Sequence, residues 1–168
     1  MDLINTDNIE LVTVTMIFIV KDDSILTIKR APTKKFYPNK ISLIGGKVEP
    51  GEDIISSAKR EAKEETNLNL ISVENRGVFI RIVKDKYFNF IHILYSDKFE
   101  GELINDNEEG FVSWMKMDDF LHNPYTVEHI GLYFDQIVHQ KNYYSGFGYY
   151  EGDKLLRYKD NSDFYKKS

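Results

Sequence analysis

The chain has 168 residues, of which 42% are hydrophobic and 29% are charged, and it contains no cysteine. This length is typical of one domain, and this composition predicts a globular protein rather than a disordered one. The absence of cysteine excludes a disulfide framework, a thiol nucleophile and a thiolate zinc site. A formal net charge of -5 argues against binding to nucleic acid. It still allows a phosphorylated small molecule, because a bound divalent cation inverts the local field.

The N-terminal residues lack the basic start and the small-residue cleavage site of a signal peptide. The longest apolar stretch, Met16 to Val20, is far shorter than the roughly 20 residues that a membrane span needs. We therefore expect no membrane partner. The absence of cysteine agrees with a reducing compartment, so we expect the protein to be cytoplasmic.

The first half of the chain predicts strands around an exposed loop, followed by a helix. Two runs rich in β-branched residues, separated by a short charged turn, predict a hairpin. A segment with two prolines and three lysines predicts a loop, and a short apolar run before two glycines predicts a third strand. In chain order the predicted elements are strands Leu11–Val20 and Ser24–Arg30, loop Ala31–Lys40, strand Ile41–Ile44 and helix Pro50–Asn67, with Glu52 and Asp53 in its first turn.

The second half predicts further strands and a second helix. In chain order these are strands Gly77–Val83 and Tyr87–Tyr95 around a turn at Lys84–Lys86, acidic loop Asp97–Gly110, strand Phe111–Met115, helix Thr126–Lys141 and a hairpin over Tyr143–Tyr158. Strands and helices are intermixed, so the fold class is α/β or α+β with a mixed sheet. No linker divides the chain, and we expect a single domain over residues 1–168 with a polar tail at about 159–168.

Three glutamates lie close together on the predicted helix. At about 100° per residue, Glu61, Glu64 and Glu65 fall within about a 100° arc at the edge of an apolar stripe that includes Ala62. Like charges at this spacing destabilise a helix, and partial burial raises the cost of ionisation. A solvated acidic face is one interpretation. The other is a divalent cation site, because Mg²⁺ and Mn²⁺ prefer clustered carboxylate oxygens.

The residues around this helix follow a fixed spacing. Gly46 is followed after five residues by Glu52, and after seven more by Arg60-Glu61-Ala62-Lys63-Glu64-Glu65-Thr66-Asn67-Leu68. This arrangement resembles the Nudix box, which has a glycine where this chain has Asn67. The substitution is mild, because that position caps the helix and asparagine also adopts the left-handed conformation. The resembling segment spans residues 46–68.

The resemblance implies a Nudix-like α/β/α sandwich with a mixed β-sheet between helices, and a hydrolase that depends on Mg²⁺ or Mn²⁺. It implies a metal held by Glu61, Glu64 and Glu65 together with the backbone carbonyl of Gly45. A further glutamate from a distant loop often completes the site in this family. Glu109 is our choice and Glu108 the alternative, although a solvated acidic loop also explains both. Glu65 or Glu109 would accept the proton of a metal-bound water.

The remaining positions of the motif have implied supporting roles. Arg60 would orient Glu64 by a charge-assisted bond, although an ordinary surface pair has the same spacing. Glu52 would anchor the loop to the helix start. Gly45, Gly46 and Gly51 would permit the tight loop that leads into the helix.

By resemblance, the expected reaction is hydrolysis of a nucleoside triphosphate to the monophosphate and pyrophosphate. A nucleotide sugar, a dinucleoside polyphosphate or a capped RNA end remains an alternative substrate, and a non-catalytic nucleotide-binding domain an alternative function. The chain most resembles enzymes that hydrolyse oxidised purine nucleotides, but Ser42 stands where those commonly have asparagine, and their acidic pair is replaced around Tyr125. The candidate substrate contacts are Arg30, Ser42, Lys47 and Tyr125. The histidines have no ligand spacing, and we expect structural or surface roles for them.

Overall fold

The computed structural model describes residues 10–83 and 87–161. In that part of the chain it contains eleven strands, three α-helices and one π-helical turn. The strands are β1 Glu10–Lys21, β2 Ser24–Arg30, β3 Ile41–Leu43, β4 Asn69–Leu70, β5 Glu74–Val83, β6 Tyr87–Ser96, β7 Phe99–Glu100, β8 Asp106–Asn107, β9 Gly110–Lys116, β10 Tyr144–Glu151 and β11 Lys154–Asp160. The helices are α1 Ile54–Thr66, α2 Met117–His122 and α3 Ile130–Asp135, which continues into the π-helical turn Gln136–Gln140.

The principal sheet has the order β11-β10-β5-β6-β1-β2-β9-β8, with β3 also paired to β2. β1 runs parallel to β6, and β10 runs parallel to β5, while the other pairs of this sheet are antiparallel. The sheet is therefore mixed, as predicted. β4 and β7 form a separate two-stranded antiparallel pair.

Alternate residues of β1 are buried on opposite faces of the sheet. Ile17 and Ile19 pack in the same apolar cluster as Ala62 of α1. Phe18 packs in a second cluster with Phe134 of α3. Since successive side chains of a strand point to opposite faces, α1 and α3 cover the two faces of one sheet. This layering confirms the predicted sandwich. None of the helices in the described ranges is long and apolar enough to cross a membrane.

The predicted hairpin of the first two strands is much shorter than expected. Only Val20↔Ile25 and Lys21↔Ser24 pair β1 with β2. Farther along β1, the segment of residues 44–48 takes that edge: the Thr15 amide donates to the Gly46 carbonyl at 2.8 Å. A short turn signal fixes the neighbouring residues only, and non-local pairing separates the two strands beyond them.

Helix α1 begins later than predicted. The Asp53 carboxylate accepts hydrogen bonds from the amides of Ile55 at 2.8 Å and Ser56 at 3.0 Å, which makes Asp53 the N-cap. Glu52 and Asp53 therefore precede the helix rather than occupy its first turn. The C-terminal prediction is confirmed, because Asn67 follows Thr66 with a φ of 63° in the left-handed region.

The other boundaries differ where tertiary contacts override local pattern. The second predicted helix begins at Ile130, because Val127 instead donates its amide to the Ile41 carbonyl. The six-residue helix α2 was not predicted, and the predicted acidic loop contains β7 and β8. β11 continues to Asp160, the second residue of the predicted polar tail. The predicted turn at 84–86 and residues 162–168 lie outside the described residues.

Candidate active site

A cavity of about 480 Å³ lies against β1 and the segment of residues 45–47. Glu61 and Glu65 of α1 line it, and Glu109 reaches it from the turn before β9. Two residues are adjacent to one another on the helical surface when they are four apart, so helical periodicity alone brings Glu61 and Glu65 to the same wall. Glu109 joins them only through the fold. We call these three side chains the carboxylate wall.

Glu65 is the most buried member of the carboxylate wall, with 6% of its surface exposed. Its Oε2 accepts a hydrogen bond from the Gly45 amide at 3.2 Å. Burial raises the pKa of Glu65 to about 8, and the negative charges of Glu61 and Glu109 act in the same direction. Without a cation, this carboxyl group is therefore protonated at neutral pH.

Glu61 is held in a tight space beside Gly46. Burial raises the pKa of Glu61, and the charges of Glu64 and Glu109 add to this effect, although Arg60 opposes it. A Cβ atom at position 46 would lie 2.3 Å from Glu61 Oε1. Only glycine leaves room for the carboxylate at this point.

The Arg60 guanidinium connects the loop to the helix. It donates from Nε and Nη2 to the two carboxylate oxygens of Glu52, both at 2.9 Å, and from Nη2 to the Lys47 carbonyl at 3.0 Å. Its Nη1 reaches Glu61 at 2.8 Å and Glu64 at 3.2 Å. Arg60 thus contacts both Glu52 and Glu64, and the roles of these residues stay predictions.

Glu109 is held at the carboxylate wall by a neighbouring asparagine. Asn107 Oδ1 accepts from the Glu109 amide at 2.7 Å, while Asn107 Nδ2 donates to the Glu65 carbonyl at the end of α1. The Glu109 carboxylate forms an ion pair with Lys34. Glu108 is exposed and does not line the cavity, so the geometry favours Glu109 of the two predicted candidates.

The donor set suits a hard divalent cation, although the side chains do not form a ready-made ligand cage. Within the described ranges, no three histidine, aspartate or glutamate side chains are gathered as a metal-binding group. Glu64 is 59% exposed and turned to Arg60, and Glu109 is turned to Lys34. The carboxylates of Glu61 and Glu65 nevertheless have raised pKa values from burial and from the negative charges of neighbouring carboxylates, which a cation bound by their oxygens would relieve.

The sequence matches the NUDIX domain over residues 10–136, which is most of its length. The chain belongs to the NUDIX family. It is 33% identical over 88 residues to an uncharacterized Nudix hydrolase, YvcI, of Bacillus subtilis, and this match covers 48% of the chain and 53% of that relative. The match therefore spans about half the length of the relative. It is also 26% identical over 116 residues to the oxidized purine nucleoside triphosphate hydrolase of Danio rerio, covering 68% of the chain and 73% of that protein.

Solved structures of MutT proteins are similar to this chain. The crystal structure of a MutT protein from Bacillus halodurans matches with a TM-score of 0.79 and 26% identity, covering 89% of the chain and 97% of that structure. A MutT protein from Methanosarcina mazei, at 16% identity, matches with a TM-score of 0.70 over 81% of the chain and 98% of that structure, which shows the shared fold. The resemblance of residues 46–68 to the Nudix box is thus confirmed.

The predicted substrate contacts of this Nudix domain do not all reach the cavity. Arg30, Ser42 and Lys47 line it. Arg30 also donates from Nε to the Phe36 carbonyl at 2.9 Å, which fixes the side chain. Tyr125 lies outside the cavity and is 61% exposed, so its predicted contact with a base has no support in the geometry.

Arg81, Asn89 and His129 are among the polar residues of the cavity that the sequence analysis missed. Arg81 and Asn89 lie opposite each other on β5 and β6, and His129 lies just before α3. The sequence did contain a signal for Arg81, because it lies two residues after Phe79 in the alternation that predicts a buried strand face. In the structure the Arg81 side chain is 1% exposed. Asn89 and His129 gave none, because only the pairing of strands and the packing of α3 bring them here.

Proposed function

We propose that this chain is a Mg²⁺-dependent Nudix hydrolase that cleaves a nucleoside triphosphate to the nucleoside monophosphate and pyrophosphate. The observation that carries the proposal is the buried Glu65 carboxyl, placed beside Glu61 in a cavity that is large enough for a small molecule. Membership in the NUDIX family supports hydrolysis of a phosphoanhydride bond. The metal and the substrate are the parts that the proposal adds.

The residues that would hold the cation are Glu61, Glu64 and Glu65, with the Gly45 carbonyl, and Glu109 would complete the set. When bound, Mg²⁺ or Mn²⁺ neutralises phosphate oxygens and lowers the pKa of a coordinated water. Arg60 would keep Glu61 and Glu64 oriented through the contacts of its Nη1. Such supporting contacts set the direction of the ligand side chains.

Of the two predicted proton acceptors, Glu109 is better placed than Glu65. The Glu109 side chain is 38% exposed, whereas Glu65 is buried and already accepts a hydrogen bond from the Gly45 amide. A carboxylate oxygen of Glu109 would take the proton of the attacking water after leaving Lys34. The positive charges of Arg30 and Lys47 line the same cavity and would face the phosphate oxygens.

The finer proposal is that the substrate carries an oxidised purine. Its support is the name of the Danio rerio relative, at 26% identity, and the residues at Ser42 and Tyr125 give it no help. Nucleotide sugars, dinucleoside polyphosphates and capped RNA ends therefore belong in the same assay.

The test is to incubate the protein with Mg²⁺ and a panel of normal and oxidised nucleoside triphosphates, nucleotide sugars, dinucleoside polyphosphates and capped RNA ends. Pyrophosphate and phosphate are assayed separately. We expect pyrophosphate release that is lost in Glu64→Gln and kept in Tyr125→Phe, a matched control outside the cavity. Folded protein that binds Mg²⁺ but turns over no compound in the panel would refute the proposed hydrolysis and favour a nucleotide-binding domain.

A further inference from the structure

A second part of the cavity lies on the face of the sheet that α3 covers, and the chemistry above does not use it. Arg81 pairs with Asn89, and Asn89 pairs with Val12, so these three side chains lie in one row across β5, β6 and β1. All three line the cavity, and His129 joins them from the residue before α3. We call the side chains of Val12, Arg81, Asn89 and His129 together the polar floor of the cavity.

The His129 ring is rigidly held in its neutral form. It is 2% exposed and stacks on Phe79, with the ring centroids 5.3 Å apart and an interplanar angle of 13°. Its Nδ1 lies 2.9 Å from the Tyr133 hydroxyl. Burial, and to a smaller extent the charge of Arg81, together lower the pKa of His129 to about 3. The ring therefore has one protonated and one unprotonated nitrogen.

The contacts of Tyr133 favour the tautomer with the proton on Nδ1. The Tyr133 hydroxyl donates its single proton to Met16 Sδ at 3.2 Å, and burial raises the pKa of Tyr133, so this proton is kept. Both contacts of the hydroxyl are satisfied only when Nδ1–H donates to it. Nε2 then carries the lone pair. Among the described residues it has no hydrogen-bond partner, and the ring lines the cavity.

The Arg81 side chain contacts the turn between β10 and β11. Its Nη2 donates to the Gly152 carbonyl at 2.8 Å and to Asp153 at 2.9 Å, and its guanidinium lies 4.7 Å from the centre of the Tyr150 ring. These contacts hold Arg81 beneath the cavity. The Asn89 side chain, opposite Arg81 in register, lines the same cavity as His129, and its amide carries N–H donors.

We propose that His129 and Asn89 select nucleobases that present a ring N–H beside a carbonyl group, an inference that rests on the proposed nucleotide hydrolysis. Guanine, 8-oxoguanine, hypoxanthine and uracil have this edge. Nε2 of His129 accepts from the ring N–H, and the Asn89 amide donates to the carbonyl oxygen. Adenine and cytosine present an unprotonated ring nitrogen and an amino group there, so lone pair faces lone pair and N–H faces N–H.

Inosine and adenosine triphosphates are the matched substrates, because they differ only at this edge. We expect wild-type kcat/KM to favour the inosine compound by at least about tenfold, the effect of one hydrogen bond of ordinary strength. His129→Phe keeps a ring on Phe79 but removes the acceptor, and Asn89→Leu removes the donor. Both should reduce the preference to below about threefold, whereas Tyr125→Phe should retain it. Equal wild-type rates, or a preference unchanged in both variants, would overturn the proposal.

Two further measurements separate this inference from the hydrolysis itself. Direct binding of inosine and adenosine monophosphates needs no turnover. If no triphosphate is cleaved, tighter binding of inosine monophosphate still supports base selection by His129 and Asn89, and equal binding refutes it. Nitrogen NMR of the wild-type His129 ring should show Nδ1 protonated and Nε2 unprotonated, and the opposite tautomer would overturn the assignment. Thermal unfolding checks each variant, and if His129→Phe does not fold, Asn89→Leu decides.

Discussion

Arg60 and Glu52 form a two-bond ion pair across the start of α1, with Nε–Oε1 and Nη2–Oε2 distances of 2.9 Å. The same guanidinium contacts Glu61 and Glu64 through its third nitrogen. One side chain therefore joins the loop before the helix to two proposed metal ligands. A planar guanidinium makes this set of contacts, and an ammonium group does not.

Arg60→Lys should weaken Mg²⁺ binding by about 10- to 100-fold, the usual effect of losing a group that orients metal ligands. The charge is kept, but the paired bonds to Glu52 and the contacts to Glu61 and Glu64 are not all replaced. Calorimetric titration with Mg²⁺ measures the change, and Lys59→Arg at an exposed site on α1 is the control. An unchanged dissociation constant would show that Arg60 does not position the ligands.

Gly45→Ala and Gly46→Ala should have different effects although the residues are adjacent. Gly45 has a φ of 148°, and a Cβ there would lie 2.1 Å from the Thr15 carbonyl oxygen, so the backbone must move. We expect Gly45→Ala to lower the free energy of unfolding by about 1–3 kcal/mol. At Gly46 the added atom meets the movable end of Glu61, so stability should be nearly retained while Mg²⁺ binding weakens.

Thermal unfolding with and without Mg²⁺ distinguishes these two outcomes. Gly51→Ala is the control for backbone strain alone, since Gly51 has a φ of 88° with open space around it. A destabilised Gly46→Ala with normal Mg²⁺ binding would contradict the assignment.

The stability of the metal-free protein should fall as pH rises, through Glu65. The ordinary pKa of a glutamate is 4.5, whereas Glu65 in the folded protein has a pKa of about 8. The folded state keeps a proton that the unfolded state has released, so this contribution is complete below pH 4.5 and is lost as pH rises through about 8. Glu65→Gln mimics the protonated form and should remove the dependence.

The measurement is the difference in unfolding free energy between wild type and Glu65→Gln from about pH 5 to about pH 9 with a chelator present. The buried His129 acts in the opposite direction, because its low pKa removes stability as pH falls below 6.5. That term is common to both proteins and cancels in the difference. Parallel pH profiles would show that Glu65 ionises normally.

Lys34→Ala should strengthen Mg²⁺ binding. Lys34 forms an ion pair with Glu109, and both side chains are partly exposed, so the pair is worth at most about 1 kcal/mol. Its removal frees Glu109 for the cation and should lower the dissociation constant by up to about fivefold. Lys35→Ala, the neighbouring lysine, is the control. Equal or weaker binding in Lys34→Ala alone would mean that Glu109 is not a ligand.

The parts of the site that follow from local rules were predictable from the sequence. Helical spacing places Glu61 and Glu65 on one wall, and the left-handed cap at Asn67 follows from the preference of asparagine for that conformation. The spacing of Arg60 and Glu64 likewise predicted the contact between them. These features depend on residues fewer than ten positions apart in the chain.

The remaining features depend on pairing between distant segments. The β1–β2 hairpin was predicted too long because residues 44–48 pair with the rest of that edge of β1, which no turn signal reveals. His129 was placed among structural or surface residues because its environment is made by Phe79 and Tyr133. Tyr125 was chosen for its aromatic ring. Its carbonyl accepts a hydrogen bond from the Ile41 amide, and the residue lies outside the cavity.

The two edges of β1 also dictate when the site can form as the chain folds. One edge pairs with β6, and the other holds the segment that brings the Gly45 amide to Glu65. Helix α1 is a local structure that can begin to form early, whereas a ladder between such distant strands carries a large loop-closure cost and forms slowly. A chain emerging from the ribosome therefore cannot complete the cavity before β6 has been synthesised, although α1 with its glutamates precedes β6 in the chain.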